Sequence, residues 1–80
     1  MLSETWKEKD GALVGEWHRA DFVDAVAFVN AVAVVAEEAN HHPDVLLHGY
    51  NKVRLTLSTH SEGRITDADH ALAARIDTLA

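Results

Sequence analysis

Eighty residues make one domain with a thin core, because a chain this short buries only about 60% of the surface it exposes unfolded. The absence of cysteine excludes disulfides and thiolate chemistry and fits a reducing, cytoplasmic setting. Thirteen acids against seven bases give a formal charge of -6, which argues against nucleic acid and anionic membranes as partners.

The start, M-L-S-E-T-W, has no basic region followed by an apolar core, so no signal peptide is expected. Residues 6–9 and 12–18 read as two short strands, with Asp10-Gly11 as the hairpin turn. In the second, Leu13 and Trp17 fall on one face with Gly15 between them. Residues 21–40 form the clearest helix, with Asp21 as N-cap and Asp24 in the first turn. Phe22, Ala25, Val26, Val29, Val32, Ala33 and Ala36 follow the rhythm of a buried stripe. Ala27, Phe28, Ala31, Val34 and Val35 form a second apolar set where a surface helix should be polar. Both faces are then covered within the domain, or one meets another subunit. In so small a domain the second is favoured, which predicts a homo-oligomer. The apolar run at residues 25–36 is too short to span a bilayer, so no membrane is expected as partner.

Pro43 pushes His42 out of the α region, so the helix ends by His42. Residues 45–47 and 52–60 read as antiparallel strands joined through Gly49, Tyr50 and Asn51. In the second, Val53, Leu55, Leu57 and Thr59 alternate with Lys52, Arg54, Thr56, Ser58 and His60. Residues 61–63 are a loop. Thr66 then caps a final helix at capping-box spacing from Asp69, with Asp in place of Glu. Its apolar stripe is Ala68, Leu72, Ile76 and Leu79. The order β-β-α-β-β-α argues for an α+β domain in which two helices cover one face of a four-stranded antiparallel sheet.

The chemistry lies in the six histidines. His41 and His42 sit where α-helical carbonyls run out of partners. The helix dipole, Glu37 and Glu38 favour a protonated imidazole there, suited to moving protons in both directions. His60, at a strand exit, could face the same cleft, and Asp69 could orient an imidazole. The bland alternative is that these are ordinary surface histidines at a helix end that favours cations. His18, His48 and His70 are read that way. Ser58 and Ser61 lie near His60, but nothing resembles a nucleophile elbow. Three histidines and an aspartate would suffice for zinc, yet the usual i, i+4 ligand spacing is missing, so no metal is expected.

These residues resemble the pterin-4a-carbinolamine dehydratase family. Glu37 is followed after three residues by His41-His42-Pro43, then after six by Tyr50, after nine by His60 and after eight by Asp69. The run Y-N-K-V-R-L-T-L-S-T-H, Asp21-Phe22 and L-A-x-x-I-D at residues 72–77 fit as well. The resemblance implies the fold just read, with an N-terminal family helix missing from this chain. It implies 4a-hydroxytetrahydrobiopterin dehydratase activity: loss of water from 4a-hydroxytetrahydropterin to give quinonoid dihydropterin, without metal or cofactor. It implies His41, His42 and His60 as the acid–base set, with His41 and His60 the principal pair, and Asp69 polarising a histidine. Asn40, His41, His42, Ser58, Thr59, His60 and Ser61 would line the pterin site, and Trp6 is a further candidate to flank it. It implies a homodimer or homotetramer, built through the sheet edge and the helix 21–40. Ala68 stands where relatives often carry Arg, Ser61 where some carry an acid, and Arg19 where an apolar strand residue is common. The competing expectations are a regulatory, protein-binding dimerisation module and a small metal-binding domain.

Overall fold

The computed structural model describes residues 5–59 and 61–79. In chain order the elements are β1 (Trp6–Lys9), β2 (Ala12–His18), α1 (Phe22–Ala39), β3 (Asp44–His48), β4 (Lys52–Leu57) and α2 (Asp67–Asp77). All four strands join one antiparallel sheet in the order β1-β2-β4-β3. The α+β order read from the sequence is therefore the observed one.

The first hairpin turns where expected. Asp10 and Gly11 both adopt positive φ, 51° and 77°, which matches the twist of the flanking strands. Gly15 is required by close approach: a Cβ there would lie 2.6 Å from the Trp17 ring, beside Trp6. The two indoles meet edge to face with centroids 5.2 Å apart.

Strand alternation places the core. Leu13, Val53, Leu55 and Leu57 point inward and are fully buried, and each such side chain contributes about 1.5–3 kcal/mol. Leu72, Ala73 and Ile76 of α2 close over them. Strand β4 stops at Leu57 rather than running to residue 60. Beyond it the backbone folds back: Thr59 N–H donates to the Arg64 carbonyl, and the N–H groups of Glu62 and Gly63 donate to the Thr59 carbonyl.

Helix α1 begins and ends where its caps predict, and Ala25, Val32 and Ala36 of the expected stripe are buried, but Phe22 and Phe28 exchange places. Its buried residues are Ala25, Phe28, Val32 and Ala36, while Phe22 is 54% exposed. Phe28, assigned to the outer set by periodicity, takes the core position because Trp17 packs on it at 5.2 Å and the Arg19 guanidinium covers it at 4.9 Å. A helix apolar all round offers no contrast from which periodicity can choose a face. Among the described residues no helix is long and apolar enough to cross a membrane.

Candidate active site

The site starts at the end of α1. Asn40 takes the left-handed conformation, φ 50° and ψ 41°, and ends the helix. The His41 N–H then reaches back to the Ala36 carbonyl at 3.1 Å, the bond that closes a Schellman-type ending. This reversal separates the two adjacent imidazoles. His42 turns outward, pairing its Nε2 with Glu37 on α1 in an exposed position. His41 turns inward, placing Nε2 2.5 Å from Oδ1 of Asp69 on α2, and its ring is 18% exposed.

Asp69 is fully buried at the third position of α2. Its Oδ2 accepts the backbone N–H of the N-cap Thr66 at 2.8 Å, so the predicted capping box forms. The same oxygen accepts the Thr59 hydroxyl at 2.9 Å. Burial pushes this carboxyl up, but the hydrogen bonds from His41, Thr66 and Thr59, with the His41 charge, outweigh it and hold the group below the usual carboxylate range. A dry, ionised carboxylate clamped on one nitrogen of a half-buried imidazole is an arrangement suited to proton transfer.

The fold thus brings His41, Asp69 and Thr59 together, from α1, α2 and the segment after β4. His42 is a neighbour in sequence, directed elsewhere. It lines an apolar groove of about 290 Å³ between α1 and β3, with Val29, Val32, Ala36, Pro43 and Val45 among its walls. His60 lies outside the described residues. Asn40 and Ser61 are exposed, and Ser58 is half-buried. Trp6 is 4% exposed, in the core, with its indole N–H donating to Asp77 Oδ1 at 3.0 Å. Among the described residues no three His, Asp or Glu side chains gather as a metal site. The Thr59 hydroxyl is the partner of Asp69 that residue order does not reveal. The available signal was the inward phase of β4, which carries Thr59 toward the helix layer.

The sequence matches the pterin 4 alpha carbinolamine dehydratase family over residues 1–79. It is 48% identical over 75 residues to a protein of Thermomicrobium roseum provisionally named pterin-4-alpha-carbinolamine dehydratase, covering 94% of this chain and 80% of that one. A similarly named protein of Gloeobacter violaceus is 52% identical over 71 residues, covering 86% and 76%. Among solved structures, a transcriptional coactivator/pterin dehydratase from Brucella melitensis superposes with a TM-score of 0.88 at 33% identity, covering 96% of this chain and 83% of that one. A pterin dehydratase-like protein identified as a RuBisCO assembly factor in the alpha-carboxysome superposes with a TM-score of 0.74 at 29% identity, covering 94% and 86%. With the family matched along nearly its whole length, and the spaced histidines and aspartate of the motif in place, the chain belongs to the pterin-4a-carbinolamine dehydratase family.

Proposed function

We propose that the protein is a 4a-hydroxytetrahydrobiopterin dehydratase, a hydro-lyase acting in the cytoplasm. The C4a–O bond breaks with its electron pair, and the departing hydroxide takes a proton from a general acid. N5 gives its proton to a general base as the N5=C4a double bond forms. The products are water and quinonoid dihydropterin. Hydroxide is a poor leaving group, and each positioned acid or base typically supplies about 10²–10⁴-fold. His41 and His60 are the proposed acid–base pair, His42 the third histidine of the set, and Asp69 the group that orients His41. Residues 40–42 and 58–61 line the pterin, partly through backbone groups.

The observation that carries this reading is the buried Asp69 carboxylate held on His41 at 2.5 Å. The test is a direct assay with freshly generated 4a-hydroxytetrahydropterin. His41→Ala and His60→Ala are each expected to turn over at least ~10²-fold more slowly with the fold intact. Rates within a few-fold of wild type for both would sink the proposal.

A second reading, a protein-binding module, is favoured by one feature: the outer face of α1 leaves Phe22 54%, Val23 76% and Val34 59% exposed. The dehydratase reading assigns this face, and the free edge of β3, to further copies of the chain in a homodimer or homotetramer.

A further inference from the structure

Asp69 accepts more hydrogen bonds than a helix cap requires. Its Oδ2 takes the Thr66 N–H at 2.8 Å and the Thr59 hydroxyl at 2.9 Å, while its Oδ1 takes His41 Nε2 at 2.5 Å. Thr59 Oγ1 lies in turn 2.6 Å from Thr66 Oγ1. Counting hydrogens gives these contacts a direction. A hydroxyl has one hydrogen, and an ionised carboxylate only accepts. Thr59 therefore spends its hydrogen on Asp69, and Thr66 must donate to Thr59. By the same count His41 Nε2 carries a proton, so in the neutral ring Nδ1 is the bare nitrogen.

We propose that Thr59 and Thr66 are positioning residues, forming a one-way hydrogen-bond relay through Asp69 that holds His41 as its Nε2–H tautomer and makes Nδ1 the nitrogen that exchanges a proton with substrate. Two donors saturate the inner oxygen, so the carboxylate cannot swing away from the imidazole. Each hydroxyl polarises the next, which strengthens the chain as a unit. Among the described residues His41 is the one ionisable side chain in contact with Asp69, so the relay acts on that ring alone. The substrate named here rests on the dehydratase reading; the direction of the relay does not.

The test is a double-mutant cycle on Thr59→Val and Asp69→Asn, with Thr59→Ser as the conservative control, using 4a-hydroxytetrahydropterin. Thr59→Val is expected to lower kcat about 10- to 100-fold, the loss of one hydrogen bond to a charged group. Thr59→Ser should restore the rate, and the double variant should be no slower than Asp69→Asn alone. A Thr59→Val enzyme at the wild-type rate, or losses that multiply in the double variant, would overturn the relay. If Thr59→Val does not fold, Thr66→Val replaces it in the same cycle, with a smaller loss expected. If wild type shows no turnover, the dehydratase reading has failed, and the relay is judged by carbon-13 titration of the Asp69 carboxyl. Thr59→Val should then move that titration to higher pH, and an unmoved titration overturns the proposal.

Discussion

Asp69 is ionised in a place where a carboxylate is costly. Its three donors compensate for lost water, and their effect reaches stability as well as chemistry. A carboxyl whose folded pKa is depressed contributes stability above its unfolded value of about 3.9 and loses it as pH falls through the lower, folded value. Urea unfolding should therefore find Asp69→Asn less stable than wild type by about 1–3 kcal/mol at neutral pH. That difference should shrink as pH falls below about 4, because wild type alone must then protonate the group. A difference that stays constant through that window would show that the carboxylate is not the source of the stability.

At the scale of elements, the end of α1 does most to shape the site. The left-handed Asn40 lets one imidazole enter the molecule while its neighbour stays outside. Glycine adopts that conformation freely, whereas alanine resists it by about 1–2 kcal/mol. Asn40→Ala is thus expected to lose roughly that stability, and also turnover, because His41 would leave its register with Asp69. Asn40→Gly should keep both, since residues 40–42 are proposed to meet the pterin partly through backbone groups. A Gly variant that stays stable but loses turnover would instead implicate the amide side chain. The caps, the Asp10-Gly11 turn and the alternation of β4 were legible in the sequence because each is a local preference of a few residues. The inward place of Phe28 was not, because on a helix apolar on every side it is settled by what packs on it, here Trp17 and Arg19.

For the whole molecule, the sheet order β1-β2-β4-β3 pairs β2 with β4 across the intervening helix, and it leaves β3 at an edge. No local pattern encodes that long-range pairing, whereas His41 meets Thr59 through the β3–β4 hairpin, whose register sets Asp44 against Thr56 and brings the residues before β3 beside those after β4. The spacing of His41 and Asp69 could still be matched to a family, although their contact could not be derived from residue order. The edge strand carries Val45 and Leu46 at 45% and 47% exposure, and an uncovered edge is a template for pairing with another chain. With the outer face of α1, this makes two exposed apolar surfaces, the ones proposed above to meet further copies of the chain. Sedimentation equilibrium should find wild type as a dimer or tetramer and Val34→Glu as a smaller species. A monomeric wild type would shift the balance to the protein-binding reading.

Helix α2 is fastened at both ends. Near its start Asp69 holds His41, and at its last residue Asp77 holds the indole of Trp6 at 3.0 Å. The helix between those attachments is a rigid lever about 12 Å long. Movement that frees the His41 imidazole is therefore expected to reach a tryptophan in the core. With Trp17 replaced by Phe, the emission of Trp6 becomes an unlabelled optical gauge of how firmly the site is closed.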